Sequence, residues 1–485
     1  MKRLLFIISV QMLGLANLSA QVFDYVVAKD NSGDFQTVQE AINACPDNER
    51  KVIFVKAGKY EEKVMIGSHS KASNKLLSII GEDPEKVIIT WDDYNKKTII
   101  YDGKQVTSGT PQSATFTVNA VDFYAENLTI ENSYSKAQAV ALYNVGDRQT
   151  FKNCRLIGYQ DTHYLKKTKR SYFYDCYIEG GTDYICAGGT AIFDNCQLHS
   201  VRNGSYITAP EDISAMAFGD DKVYFYGFIF RNCLLTTEAG YEVFLGRPWQ
   251  GKSSSVFLSC KMDGVKSAGW STWDGNNHLT SFFAEYNSTD RDGNPIDVAN
   301  RVEWSHQLTK QEVDTYYTNE KIYSFTTGDY DPFSLVKSPK NPTSVTLSSG
   351  TLSWTEVAGA KGYIVYKNDQ IIGLTEATSF VVDSNDKDVF TIKIVGAHGN
   401  LSNKIAEGEY SSIANKNTSE RAIYFRNGTL FVPENKKTDL YTLTGALISR
   451  TYGETGINLS ETKTGVCIVR VEIENGNIIT VKVVL

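Results

Sequence analysis

The sequence predicts an all-β chain: a long right-handed parallel β-helix followed by two small β-sandwich modules. Three observations carry that prediction. The composition, 37 Gly, 28 Tyr and 23 Phe against 10 Pro and 5 Met in 485 residues, leans towards β structure. A hexapeptide pattern returns five times at the interval of a solenoid coil. Beyond a Pro-containing break, short apolar runs recur at sandwich-like spacing. A hydrophobic fraction of 41% and a charged fraction of 22% exclude a largely disordered chain or a long coiled coil. The net charge of −7 argues against a general basic field, so no nucleic-acid partner is expected.

Residues 1–20 read as a secretory signal peptide. Lys2-Arg3 supplies the positive start, Leu4 to Leu15 is mostly apolar, and Leu18-Ser19-Ala20 offers a small-residue cleavage site. No later apolar stretch is long enough to span a bilayer. The expected location is therefore outside the cytoplasm of a bacterium: periplasm, cell surface or medium.

Residues 21–336 carry the solenoid. Thr37–Ala44 opens it with Val38, Ala41 and Ile42 at helical spacing, a short helix suited to shielding the end of a parallel sheet. The hexapeptides follow: FKNCRL from Phe151, FYDCYI from Phe173, FDNCQL from Phe193, FRNCLL from Phe230 and FLSCKM from Phe257. Their cysteines are 22, 20, 37 and 27 residues apart, which is coil spacing with one interval long enough for an added loop, placed at Ala209–Lys222. Phe, Cys and the apolar sixth residue are expected to face inward. That makes the cysteines buried free thiols rather than disulfides, despite the export signal. Ala125–Ile130 fits the same register with Leu128 in place of Cys. The pattern fades after Tyr286, and residues to 336, among them Val302, Trp304 and Leu308, read as a tail folded back on the body.

Ser338–Pro342 reads as a linker. In residues 337–410, Leu352–Trp354, Tyr363–Tyr366 and Phe390–Ile394 are strand-like, and the stretch resembles a fibronectin type III module. In residues 411–485, Asp439–Gly445 and Gly465–Arg470 resemble the C-terminal sorting domains of secreted Bacteroidetes proteins, which implies a role in secretion.

Coil arithmetic turns the repeat into a site. Gln138, Asp161 and Asp183 are separated by 23 and 22 residues, so they are expected to stack on successive coils, about 4.8 Å apart. Two carboxyls that close cannot both ionise freely, so one keeps its proton near neutral pH. Geometry alone leaves two reactions open: glycoside cleavage by a carboxylate pair and ester hydrolysis through a carboxylate nucleophile. The six His are scattered without ligand spacing, so no metal and no cofactor is expected.

The motifs around that pair decide between them. Gln138–Leu142, Gly146–Arg148, Gly158-Tyr-Gln-Asp-Thr162, Gly181-Thr-Asp-Tyr-Ile185 and Leu245-Gly-Arg-Pro-Trp249 resemble the pectin methylesterase (pectinesterase) family, carbohydrate esterase family 8. Ser32–Ile42, Gly58–Glu62 and Ser113–Thr115 agree, and ordered matches run from about Val26 to Ile322. The resemblance implies a pectin lyase-like solenoid acting on methyl-esterified homogalacturonan as a monomer. It implies Asp183 as nucleophile on the C6 methyl ester and Asp161 as general acid, then base. It also implies Gln138 and Gln160 as oxyanion donors and Arg247 as the partner that keeps Asp183 ionised. Trp249, Thr115 and Tyr184 are the implied substrate contacts.

Two positions depart from the family pattern. His163 stands where members usually have Leu; its ring is expected to face away from Asp161 rather than tune it. Cys186 stands where members commonly place Phe near the ester methyl, followed by Ala187 rather than Gly, so the methyl pocket is expected to be roomier or filled from elsewhere. The basic run Lys166, Lys167, Lys169 and Arg170 reads as a solvated loop face, with binding of free pectate carboxylates as the alternative. Other functions weighed are a β-helix glycosidase or lyase on the same polymer, an esterase for another acyl ester, and a non-catalytic polysaccharide binder. The absence of a Gly-His-Gly motif counts against the polygalacturonase form of the first.

Overall fold

The repeated hexapeptide is the joint of each coil. In the computed structural model, its Phe is the last but one residue of a strand, its third residue makes a bend before the Cys, and its sixth sits in the next strand. The described residues are 22–484 without 102, 215–216, 219–223, 325–328, 386–387, 407–423, 427–428, 432–436, 443–446, 454–455, 459–465 and 473–477. The signal-peptide reading of residues 1–20 falls outside them. Among the described residues no helix is long and apolar enough to cross a membrane.

Residues 23–338, with 398–400, form one compact unit. It is a right-handed parallel β-helix with three long parallel sheets. The first has 11 strands from Tyr25–Val27 to His306–Gln307. The second has 8, from Gly58–Glu61 to Lys261–Met262, and the third 7, from Val64–Ile66 to Phe244–Gly246. In the first sheet Ala125 pairs with Phe151, and Phe151, Phe173, Phe193, Phe230 and Phe257 follow in register. Their rings stack face to face inside the solenoid, centroids 4.3–4.9 Å apart. In the second sheet Ile130, Leu156, Ile178, Leu198, Leu235 and Met262 form the matching inner row.

The cysteines face inward as expected but are not strand residues. Each follows a residue in the left-handed region, namely Asn153, Asp175, Asn195, Asn232 and Ser259, with φ between 48° and 57°. Four of the five are Asn or Asp, the side chains that best tolerate this conformation. The small thiol then fills the inside of the bend, where Cys176, Cys196 and Cys233 each donate to the Phe carbonyl of the preceding coil at 3.3–3.7 Å. Cys45, Cys154, Cys176, Cys186, Cys196, Cys233 and Cys260 are buried and unbridged.

The helix at the solenoid's opening runs Val38–Ala44, with the Thr37 hydroxyl accepting from the Glu40 N–H and Val38, Ala41 and Ile42 buried. At the far end, short helices at Lys310–Tyr316, Asn319–Ile322 and Pro332–Leu335 lie on the outer face of the first sheet. There Ile322, Tyr323 and Val336 pack with Tyr172, Ile192, Ile229 and Val256. This is the folded-back tail. The long interval after Pro210 carries an added antiparallel pair, Ala217–Phe218 with Tyr224–Phe225.

Between 345 and 406 a three-stranded and a four-stranded antiparallel sheet enclose Leu352, Trp354, Tyr363, Val365, Phe390, Ile392 and Ile394. From 424 onward a three-stranded and a four-stranded antiparallel sheet follow.

Candidate active site

Backbone pairing sets the register of the site. Gln138 pairs with Gln160 and Gln160 with Thr182, in parallel. One residue on, Asp161 and Asp183 therefore stand on adjacent coils, just before the third-sheet strands His163–Leu165 and Ile185–Ala187. This corrects the coil arithmetic in one respect. Gln138 opposes Gln160, not Asp161, because the repeat here is one residue shorter than the Gln138–Asp161 spacing. The Gln138 side chain still reaches forward to hydrogen-bond the Asp161 carboxyl.

Both aspartates adopt left-handed backbone, φ 64° at Asp161 and 48° at Asp183. Such conformations cost on the order of 1 kcal/mol or more each and persist where the surroundings hold them. Here the holding bonds are Asp161 N–H to the Thr182 carbonyl and Asp183 N–H to the Tyr206 carbonyl at 2.7 Å. Both side chains are buried, yet their environments differ. Burial, then the neighbouring Asp183 charge, pushes the Asp161 carboxyl up to about 8, against the opposing pull of the Gln138 hydrogen bond and Arg247. Burial also raises Asp183, but Arg247 counteracts it directly. The guanidinium grips that carboxylate in two bonds, Nε to Oδ1 at 3.0 Å and Nη2 to Oδ2 at 2.7 Å. The pair is thus biased to keep its proton on Asp161 and its charge on Asp183.

Arg247 is itself clamped. Its guanidinium carbon lies 3.9 Å from the Tyr206 ring centroid and 3.8 Å from that of Trp273. Gly246 before it is required by close approach: a Cβ there would meet Thr208 Oγ1 at 2.0 Å. Tyr206 and Trp273 were not visible as site residues in the sequence. Their aromatic character is the only hint it offers.

Gln138 is held from a hairpin early in the chain. Its Oε1 accepts from Asn95 Nδ2 at 2.7 Å and from Thr110 Oγ1 at 3.1 Å, which leaves its NH₂ for Asp161. Asn95 and Thr110 were also missed; nothing in their local sequence marks them. Gln160, next to Asp161 in the chain, is partly exposed; Trp249 is partly exposed as well, and its carbonyl accepts from Asn277.

Two implied substrate contacts are corrected. Thr115 is fully buried, and its hydroxyl donates to the Glu131 carbonyl. Tyr184 is fully buried with its hydroxyl bonded to Ser200. Neither shows a face to a polymer. Tyr184 instead packs in the solenoid core together with the next residue, Ile185.

The departures also find their places. His163 lies in the core with its ring against Phe173 and Phe193 and Nε2 bonded to Asn144. Burial pushes it down to about 3, so it is neutral, and it is not among the groups that shift Asp161. Cys186 is buried with its thiol donating to the His163 carbonyl at 3.5 Å. In the basic run, Arg170 is buried and tied to Asp147 through Nε and Nη2, so it belongs to the scaffold. Lys166, Lys167 and Lys169 are partly exposed, and Lys167 lies 3.9 Å from Asp212.

The arrangement, a clamped carboxylate beside a protonated one with an amide donor alongside, suits attack on an acyl carbon followed by proton delivery to a leaving oxygen. Comparison with known proteins agrees. The pectinesterase family model matches residues 24–329. Pectinesterase 31 of Arabidopsis thaliana is 34% identical over 295 residues, 59% of this chain and 88% of that protein. The solved pectin methylesterase from carrot superposes with a TM-score of 0.53 at 27% identity, covering 62% of this chain and 93% of the other. A pectin methylesterase solved in complex with a hexasaccharide superposes with a TM-score of 0.52 at 28% identity, covering 64% and 99%.

Proposed function

The chain belongs to the pectinesterase family and is a carboxylic ester hydrolase, and from that premise we propose that it cleaves C6 methyl esters of homogalacturonan with Asp183 as nucleophile. The observation that carries this reading is the split pair: Asp183 clamped by Arg247, and Asp161 pushed up to about 8 beside it.

An Asp183 oxygen attacks the ester carbonyl carbon, and the carbonyl electron pair moves onto oxygen. The Gln138 NH₂ and the Gln160 side chain donate to that oxyanion; one such donor is typically worth about 3 kcal/mol. As the intermediate collapses, Asp161 gives its proton to the methoxy oxygen and methanol departs, leaving an acyl anhydride on Asp183. Asp161, now a carboxylate, takes a proton from water. The resulting hydroxide attacks the galacturonoyl carbon of the anhydride and expels the Asp183 carboxylate, and the product acid gives its proton to solvent to become pectate, with both aspartates restored. Trp249, partly exposed next to Arg247, offers a flat apolar face to a sugar ring.

Export accompanies this reading, supported by Lys2-Arg3, the apolar run to Leu15 and Leu18-Ser19-Ala20, and by a substrate too large to enter a cell. The fibronectin type III-like reading is supported by the three-plus-four-stranded sheets of 345–406. The sorting reading of the last segment rests on its sequence resemblance. The reaction class is tested on highly methylated pectin: methanol should appear without new reducing ends or unsaturated sugars. New chain ends in step with methanol would refute the esterase reading in favour of a depolymerase.

A further inference from the structure

A carboxamide has two ends of nearly the same shape and opposite hydrogen-bonding sense, so the use of Gln138 as a donor depends on which end faces the reacting centre. That choice is made by Asn95. Its Nδ2 donates to Gln138 Oε1 at 2.7 Å, and its main-chain N–H donates to the Gln138 carbonyl at 2.9 Å, so one residue grips both backbone and side chain. Thr110 Oγ1 adds a second donor to the same Oε1 at 3.1 Å. With its oxygen occupied, the Gln138 amide can offer the site only its NH₂.

The loop that presents Asn95 is stiff. Tyr94 stacks on Tyr134 with centroids 3.9 Å apart and planes 11° from parallel. Lys97 spans Asp92 and Asp93 at 2.8 and 3.0 Å, and Lys63 holds Asp93 from the other side at 2.8 Å. The Lys96 N–H donates to the Ser108 carbonyl, and the Ser108 N–H to that of Lys97, closing the base of the hairpin formed by Thr98–Tyr101 and Lys104–Thr107. A donor fixed before the reaction begins costs no reorganisation when the oxyanion forms.

We propose that Asn95 is a positioning residue that fixes the Gln138 carboxamide with its NH₂ towards the scissile ester; the proposal rests on the reading of Gln138 as an oxyanion donor. Asn95 touches neither substrate nor reacting atoms in this account and acts only through Gln138.

The test is a double-mutant cycle with methanol release from highly methylated pectin as readout. Asn95→Asp keeps the shape but replaces a donor with an acceptor, which turns the Gln138 NH₂ away from the site. It should lower kcat by about a hundredfold with KM unchanged, whereas Asn95→Ser, which retains a hydroxyl donor, should lose less than about tenfold. In a Gln138→Ala background, Asn95→Asp should change kcat by no more than about threefold. Should Asn95→Asp fail to fold, Asn95→Leu, which removes the donor without adding charge, is read through the same cycle. An Asn95 variant as fast as wild type, an effect confined to KM, or a loss that persists undiminished in Gln138→Ala overturns the proposal alone. A Gln138→Ala enzyme as fast as wild type overturns the donor role of Gln138 and the proposal with it.

Discussion

Asp161 and Asp183 stand side by side on adjacent coils in the same left-handed backbone conformation, yet only Asp183 carries a bidentate arginine. The arginine opposes the effect of burial directly on Asp183, which favours the charge there and the proton on Asp161. This bias makes the pair's titration the first property to measure.

The alkaline limb of kcat/KM should fall with an apparent pKa near 8, because Asp161 must hold its proton to release methanol. An activity that stays flat to pH 10 on a substrate stable there would remove Asp161 from the role of acid.

The same raised carboxyl should cost stability. Below about pH 4 Asp161 is protonated in both folded and unfolded chains. Between there and about 8 the unfolded chain releases the proton while the folded one keeps it, so stability declines as pH rises through this window. Asp161→Asn does not titrate. Its melting temperature should exceed that of wild type by a margin that grows from pH 4 to 8, equivalent to a few kcal/mol at the top. A margin independent of pH would contradict this.

Arg247→Met should lower kcat by about a hundredfold or more and move the acid limb of kcat/KM upward. The guanidinium opposes the burial that raises Asp183, and its loss leaves that rise unopposed. Arg247→Lys should recover little, since one ammonium cannot supply both bonds to the carboxylate. An unmoved acid limb in Arg247→Met would show that Asp183 does not depend on it.

Phe193 lies between Phe173 and Phe230 in the ring stack, with no exposed surface. Phe193→Ala should destabilise the protein by about 3–5 kcal/mol in denaturant unfolding. Leu279, 66% exposed, should change it by less than about 0.5 kcal/mol when cut to Ala. Equal effects would mean that the stack does not carry the solenoid.

The solenoid was legible in the sequence because a coil that must repeat its inner face repeats its residues: the Phe, the bend thiol and the sixth-position aliphatic each recur on one row. The carboxylate pair was legible for the same reason, since Asp161 and Asp183 share a coil position. What surrounds the pair obeys no period. Asn95 and Thr110 flank a hairpin upstream, and Arg247 is closed on by Tyr206 from the start of a strand and by Trp273 from a loop, so their meeting exists only in three dimensions. Thr115 and Tyr184 enter through the family resemblance alone, and their burial, with both hydroxyls bonded inside the protein, shows only in three dimensions. Gln138 fell in the expected place but one residue out of register, a shift only backbone pairing reveals.

Methanol release from highly methylated pectin by wild type and Asp183→Asn decides whether Asp183 is the nucleophile of a pectin methylesterase. Wild type should release methanol, and the variant, folded to the same melting temperature within a few degrees, should fall by about a thousandfold or more. A wild type that releases none, or a variant within tenfold of it, would contradict the account.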